Sequence, residues 1–184
     1  RQMCIRDSLG IILGLMMCFD LGGPVNKAAY LFATAGLSTG DESSMQIMAA
    51  VMASGMVAPI ALSLATFIRK SLFTPAEQEN GKSAWLLGLS FVSEGAIPFA
   101  AADPFRVIPS MMAGGAVTGA VSMALSVGSR APHGGVFVLF AIDPFWGYLV
   151  AIAAGVVVST AAVLAMKQFW PNKAVEEAAQ NVAA

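Results

Sequence analysis

The chain has little charge. Asp, Glu, Lys and Arg make up only 11% of its residues, against 57% hydrophobic residues. Soluble domains carry about 25% charged residues, so this composition excludes an ordinary soluble globular domain. A net charge of −1 lacks the basic excess of a nucleic-acid-binding protein. Two cysteines are too few for a disulfide framework or a metal cluster. The chain also lacks a phosphate-binding Gly-rich loop with its Lys and Ser or Thr, and we expect no cofactor.

Long apolar stretches are what the chain has instead. Residues 47–68, 107–129 and 144–166 contain no charge. Each exceeds the about 20 helical residues that cross a hydrocarbon core of about 30 Å. We therefore predict an all-α, polytopic membrane protein with transmembrane helices and, between them, re-entrant helical hairpins.

Basic residues predict the orientation of these helices. Lys and Arg occur at residues 69–82, which include a predicted polar linker at 74–83, and again at 167–173. Because excess Lys and Arg mark cytoplasmic segments, both regions and the C-terminus are expected inside, with Asp41 and Glu42 outside. Residues 171–184 are predicted to form a cytoplasmic tail. The first eight residues do not fit the apolar sequence after them and resemble a translated sequencing-adapter scar, so we expect residues 1–8 to be non-native.

Two apolar pieces, residues 85–102 and 134–142, are too short to cross a membrane comfortably. Residues 94–105 align without gaps to residues 134–145, sharing Gly, Ala and Asp-Pro-Phe. We interpret each unit as a re-entrant hairpin followed by a spanning helix, whose start is capped by Asp103 or Asp143. Short interrupted segments in corresponding positions point to the binding site of a transporter. The alternative is that two Asp-Pro helix starts match by chance.

Glu94 is the first candidate for a site, because it lies inside the apolar run 93–99 (SEGAIPF). An ionisable side chain at membrane depth costs about 3 kcal/mol or more, so it usually faces a cavity. We expect Glu94, with the neighbouring Gly95, to bind a polar solute, the carboxylate accepting hydrogen bonds from hydroxyl groups. Alternatively, Glu94 holds the hairpin together by bonding a neighbouring helix.

His133, the single histidine, precedes two glycines at the start of the second short piece. A lone histidine cannot form a zinc site, which needs at least three protein ligands, so no metal is expected. His133 can donate to a hydroxyl group or share a proton with a carboxylate. The alternative is a structural histidine at a helix end.

A third candidate region surrounds the break at residues 22–24 (GGP), where glycine and proline end the preceding helix. Irregular backbone at membrane depth is tolerated only when it is buried in protein or lines a cavity. We therefore expect the solute to contact Asp20, Gly23, Asn26 and Lys27. The alternative is an Asp20–Lys27 ion pair that stabilises the break.

Four motifs together resemble one family: residues 19–30 (FDLGGPVNKAAY), 93–99 (SEGAIPF), 102–104 (ADP) and 132–135 (PHGG). They resemble the fructose-type IIC permease of the bacterial phosphoenolpyruvate-dependent sugar phosphotransferase system. The resemblance covers residues 9–170 as the C-terminal part of a IIC domain. It implies a membrane subunit of a fructose phosphotransferase that binds and translocates fructose, or a fructose-like sugar, and presents it to a phosphorylated IIB partner. It also implies a homodimer in the lipid of the bacterial inner membrane.

The same resemblance implies roles for individual residues. Glu94 would orient the sugar hydroxyls, His133 would assist it, and residues 20–27 would line the path. The phosphorylated cysteine belongs to IIB, so no catalytic residue is expected in this chain. Three alternatives remain open: a same-family permease for mannosyl-glycerate, an ion- or proton-coupled secondary transporter that uses Glu94 and Asp20, and a non-transporting membrane scaffold.

Overall fold

The computed structural model describes residues 2–170, and the predicted tail at 171–184 lies outside the described residues. The elements, in chain order, are seven helices, three short 3-10 turns and two short strands: α1 Gln2–Phe19, α2 Pro24–Leu37, α3 Glu42–Ile68, a 3-10 turn Lys70–Leu72, α4 Pro75–Leu89, a 3-10 turn Ser93–Ala96, α5 Ile97–Ala102, α6 Pro104–Ala124, β1 Gly128–Ser129, a 3-10 turn Gly135–Ala141, β2 Ile142–Asp143 and α7 Phe145–Phe169. The predicted all-α class is confirmed.

Three of the described helices are long and apolar enough to cross a membrane: α3, α6 and α7. They correspond to the three predicted spans. The chain is therefore a polytopic membrane protein. α6 ends at Ala124, earlier than the predicted end of its apolar stretch, and the chain then turns into β1.

Helix α3 is the centre of the bundle. All of its residues from Met48 to Pro59 are buried, and α1, α2, α4, α6 and α7 pack around it. Many of these residues are Ala, Ser or Gly, which let neighbouring backbones approach closely. A helix that is apolar on every side is buried in protein or in a membrane. Because α3 lies at the centre, the positions of the other elements are described relative to it.

Two helical hairpins lie against α3 and enter from opposite ends. In the α1–α2 hairpin, Gly36 of α2 contacts Ser44, near the start of α3. In the α4–α5 hairpin, Gly81 of α4 contacts Thr66, near the end of α3. We call these the Ser44 end and the Thr66 end of the bundle. The tips of both hairpins meet halfway along α3, where Gly55 contacts Met17 and Phe91.

The first short piece is a hairpin, but the predicted linker before it is wrong. Residues 74–83 are mostly helical, because α4 begins at Pro75. Thr74 accepts a hydrogen bond from the backbone N–H of Glu77, whose carboxylate accepts one from the N–H of Thr74. This reciprocal capping box satisfies free N–H groups of the first turn and so starts the helix earlier than polarity alone indicates.

The second short piece is not a helical hairpin. It is a 3-10 segment, Gly135–Ala141, between β1 and β2, which pair antiparallel with Ser129 opposite Ile142. Gly135 packs against the backbone of Leu89, so this segment reaches the tip of the α4–α5 hairpin. The predicted pair of equivalent hairpins is therefore wrong in the second unit, where the glycines after His133 adopt positive φ and exclude an α-helical start.

The two predicted aspartate caps also differ from the structure. α6 begins at Pro104 as expected, but the carboxylate of Asp103 makes no capping bond and instead pairs with Arg106 at 2.7 Å. Asp143 lies in β2, and α7 begins later, at Phe145. The Asp103 carboxylate is therefore held by an ion pair rather than by a helix cap.

Candidate functional site

A cavity of about 720 Å³ lies where the two hairpin tips meet. Three segments that are far apart in sequence line it: the start of α2, the tip of the α4–α5 hairpin, and the loop before Gly135–Ala141. The lining residues are Gly22, Asn26, Lys27, Tyr30, Phe91, Val92, Ser93, Glu94 and His133. Four predicted site residues therefore share one cavity: Asn26, Lys27, Glu94 and His133.

Glu94 occupies the tip of the α4–α5 hairpin. Two hydrogen bonds fix the backbone on either side of it: Ser93 Oγ donates to the carbonyl of Gly55 at 3.2 Å, and Asn80 Nδ2 donates to the carbonyl of Gly95 at 3.1 Å. The Glu94 side chain is exposed within this chain, whereas we expected a carboxylate immersed in apolar surroundings. The cavity is open on this side, so the carboxylate can reach a polar solute.

The tips of the two hairpins touch at Glu94 and Gly22. Gly22 has a φ of 110°, which disfavours any residue with a side chain. A Cβ added there would lie 3.0 Å from Glu94 Cγ, so glycine leaves the carboxylate room to lie in the cavity. Sequence reasoning used Gly22 only as part of a helix break and missed its contact with Glu94.

Asp20 and Gly23 do not line the cavity. The Asp20 carboxylate accepts hydrogen bonds from the backbone N–H groups of Val25 at 2.7 Å and Asn26 at 2.9 Å, so it caps the start of α2. Gly23 is the residue before α2, and a Cβ on it would lie 2.6 Å from Asp20 Oδ2. Asp20 and Gly23 therefore shape the turn that presents the lining residues.

Asn26 has both a structural contact and a place in the cavity. Its Nδ2 donates to the carbonyl of Met17 at 2.7 Å and so joins α1 to α2. Lys27 also lines the cavity, and none of the ion pairs among the described residues joins it to Asp20. The alternative in which an Asp20–Lys27 pair stabilises the break is therefore wrong. Lys27 contributes a cation to the cavity.

Gly95, another predicted site residue, is buried outside the cavity lining. A Cβ on Gly95 would lie 3.2 Å from Leu87, and its carbonyl accepts the bond from Asn80. The residue packs the two arms of the hairpin together. Gly95 therefore contributes to the site by positioning Glu94.

An aromatic wall faces the polar side chains. The rings of Phe91 and His133 have centroids 5.2 Å apart, Tyr30 and Phe91 are 5.9 Å apart, and Tyr30 meets His133 edge-on at 6.4 Å. His133 is exposed and so keeps its polar atoms accessible. Sequence reasoning missed Tyr30 and Phe91, because an aromatic residue inside an apolar run resembles ordinary packing. Tyr30 at least ends the motif at residues 19–30.

Phe91 is held in an unusual conformation. Its φ is 63°, in the left-handed region that a bulky side chain rarely adopts and that costs about 1–2 kcal/mol. Its ring packs directly on Gly55, where a Cβ would clash with Phe91 and with Met17. Close packing against α3 therefore compensates the strain and fixes the wall of the cavity.

The cavity offers a few polar groups on an aromatic background: an acceptor at Glu94, a cation at Lys27, and His133, which can donate or accept. Sites for small molecules commonly combine apolar or aromatic walls with a few such groups. This combination suits a neutral solute with several hydroxyl groups. Among the described residues, no three His, Cys, Asp or Glu side chains are grouped to hold a metal ion.

Comparisons with known proteins gave close relatives. The chain is 56% identical over 163 residues to the "PTS system fructose-specific EIIB'BC component" of Escherichia coli, and 54% identical over 170 residues to that of Vibrio cholerae. It is 49% identical over 173 residues to the "PTS system fructose-specific EIIC component" of Haloferax volcanii. These matches cover 87%, 91% and 94% of the chain.

The chain belongs to the fructose-type IIC permease family. Membership confirms the resemblance carried by the four motifs. The chain spans 28% and 29% of the length of the Escherichia coli and Vibrio cholerae proteins, and 44% of the Haloferax volcanii protein. No protein-family model and no solved structure matches the chain. The residue roles implied by the IIC resemblance stay predictions, since only their positions in the cavity are observed.

Proposed function

We propose that this chain contributes the sugar site of a permease that binds fructose, or a fructose-like sugar, carries it across the membrane and presents it to a phosphorylated IIB partner. The observation that carries this proposal is the meeting of Glu94, His133, Asn26 and Lys27 in one cavity between two oppositely directed hairpins. The relatives are named as fructose-specific components, which supplies the substrate class.

In this proposal, Glu94 accepts hydrogen bonds from sugar hydroxyls while His133 and Lys27 donate them. Tyr30 and Phe91 form an apolar wall for the sugar ring. The IIB partner is the phosphoryl donor, so this chain binds and presents the sugar and supplies no phosphoryl-carrying residue. Phosphorylation adds charge to the sugar, which discourages its return through the membrane.

The orientation belongs to the same proposal. Arg69 and Lys70 are exposed at the Thr66 end, whereas Asp41 and Glu42 are exposed at the Ser44 end. By the positive-inside rule the Thr66 end, with the C-terminus, faces the cytoplasm of a bacterial inner membrane, and the IIB partner approaches from there. A membrane-impermeant thiol reagent should label Ser43→Cys in intact cells and Lys70→Cys only after permeabilisation.

A homodimer embedded in lipid belongs to the same proposal. Several large apolar side chains are exposed within this chain: Phe105, Phe137, Phe140, Phe169 and Trp170. Exposed apolar patches of this kind mark contact with lipid or with another protein subunit.

Glu94→Gln in the intact permease tests the sugar site. A hydrogen bond to a charged group contributes about 1.5–3 kcal/mol, so fructose affinity should fall about ten- to a hundredfold. Isothermal titration with fructose measures the loss, and Glu79→Gln, which changes an exposed glutamate on α4, is the matched control. Full binding by Glu94→Gln at unchanged stability would contradict the proposal and favour a membrane scaffold.

Two further measurements separate the transport alternatives. Competition between fructose and mannosyl-glycerate for the cavity identifies the sugar. Uptake that requires the phosphorylated IIB partner, and that persists when the membrane potential is collapsed, supports phosphorylation-coupled transport. Uptake that follows the potential without a phosphodonor would instead indicate a secondary transporter.

A further inference from the structure

A buried ion cluster lies at the Thr66 end, outside the cavity lining. We call it the base cluster, and it consists of Glu77, Asp103, Arg106 and Lys167. Lys167 is 3% exposed, in the last turn of α7. The sequence predicts that residues 167–173 lie on the cytoplasmic side, and it did not predict that Lys167 is buried within the bundle. The proposed function uses none of these four residues.

Lys167 contacts both ends of the hairpin that carries Glu94. Its Nζ lies 3.0 Å from Glu77 Oε1, in the first turn of α4, and 3.9 Å from Asp103 Oδ2, just after α5. The same Nζ lies 4.2 Å from the ring centroid of Phe73, which precedes α4. One ammonium group therefore joins the chain entering the hairpin, the chain leaving it, and α7.

Each carboxylate of the base cluster is also held by its own end of the hairpin. Glu77 Oε2 accepts bonds from the backbone N–H and the hydroxyl of Thr74, at 2.7 and 3.0 Å. Asp103 accepts a bond from Arg106 at 2.7 Å. Lys167 therefore joins two carboxylates that are each already held in place at their own end of the hairpin.

A buried ion pair is by itself weak evidence of a gain in stability. Replacing a buried ion pair by apolar residues is often neutral or stabilising, because two desolvated charges recover little net free energy. Asn80 joins the two arms again, nearer the tip, through its bond to the carbonyl of Gly95. The hairpin is thus held both at its base and along its length, and these contacts position Glu94 at its tip.

We propose that Lys167 is a positioning residue for the sugar site: by contacting Glu77 and Asp103 together, it sets where the α4–α5 hairpin places Glu94 in the cavity. This inference rests on the proposed function for its ligand, but the contacts that carry it do not involve the cavity. Lys167 acts on the sugar only through the hairpin.

The test uses the double variant Lys167→Met/Glu77→Gln in the intact permease in lipid nanodiscs. Removing both charges leaves no unpaired ion at this position, and glutamine preserves the capping box with Thr74. The control is Lys82→Met, which breaks the exposed ion pair between Lys82 and Glu79 on the same helix. Fructose affinity, thermal stability, and hydrogen exchange of the amides of residues 91–96 are measured for each.

We expect the double variant to lose fructose affinity about tenfold at near wild-type stability, with faster exchange at residues 91–96, while the control changes neither. Glu77→Gln alone, which leaves the contact of Lys167 with Asp103, should give a smaller loss. A double variant that is as stable as the wild type and keeps its fructose affinity within about twofold would overturn the inference. Should the double variant not fold, the affinity and exchange of Glu77→Gln decide in the same way.

The outcome for the sugar site is separable from the outcome for Lys167. If the wild type binds no fructose, the proposed function fails, while the exchange measurement still tests the hairpin. Faster exchange at residues 91–96 in the double variant then supports the positioning role. Unchanged exchange excludes it.

Discussion

The charged side chains at the two ends of the α4–α5 hairpin differ in burial and in pairing. At the base, the side chains of Glu77 and Lys167 are each 2% exposed and meet at 3.0 Å. At the tip, Glu94 is exposed, and its carboxylate has no hydrogen-bond partner among the described residues. Buried charges must be paired, whereas an unpaired carboxylate is tolerated only where water or a solute can reach it. The charges at the base therefore join the hairpin to α7, whereas the carboxylate at the tip stays accessible.

Breaking the base should have the largest effect on stability. Lys167→Met leaves Glu77 buried without its cation, and loss of one partner of a buried ion pair costs about 3–5 kcal/mol. Denaturation of the purified permease in detergent measures this loss, and Glu94→Gln, at the exposed tip, should leave the midpoint nearly unchanged. Equal midpoints for the two variants would remove the contrast between base and tip.

Disturbing the point where both tips rest on α3 should have an intermediate effect. Gly55→Ala places a methyl group against Phe91 and Met17, and overpacking of this kind costs about 1–3 kcal/mol. Because Phe91 forms the wall beside His133, fructose affinity should fall as well. Gly36→Ala is the matched control, since its methyl group meets only the side chain of Ser44.

If Gly55→Ala unfolds no more easily than Gly36→Ala and binds fructose normally, the tips do not depend on close packing at α3. The base and the tip of the α4–α5 hairpin would then differ only in the pairing of their charges. Circular dichroism melts measure the stability and titration with fructose measures the affinity, so the two effects are determined independently.

The smallest of these effects should come from Asp20, which shapes the other hairpin. Asp20→Ala removes the cap of α2, and such a loss costs about 1 kcal/mol of stability. Because Asp20 does not line the cavity, fructose affinity should change less than in Glu94→Gln, and Asp41→Ala is the control at the start of α3. A larger loss of affinity in Asp20→Ala than in Glu94→Gln would show that Asp20 binds the sugar itself.

Local sequence signals located most of the elements. The three spans follow from length and hydropathy, and the break at residues 22–24 follows from the geometry of glycine and proline. Polarity alone predicts a linker at residues 74–83, although the capping box of Thr74 with Glu77, which starts α4, is present in the sequence. The second predicted hairpin was wrong because the similarity of two short segments does not determine their backbone conformation.

The candidate site was predictable only in part. Glu94 and His133 were found because charge and imidazole are rare in an apolar sequence. Phe91 gave no such signal, since its importance comes from its contact with Gly55, which lies far away in the chain. Lys167 gave a misleading signal, because a lysine near the end of an apolar stretch is usually exposed at the membrane surface.

By itself, the sequence determined that the chain crosses a membrane and that its first helix ends before the break at residues 22–24, and it singled out rare polar groups such as Glu94 and His133 as site candidates. These properties depend on composition and on local backbone preference. Only the tertiary structure decided that two hairpins enter from opposite ends, that Gly22 and Glu94 meet, and that Lys167 contacts both ends of one hairpin. Those contacts join residues that are distant in the chain, and they are fixed by packing around α3 rather than by any local pattern.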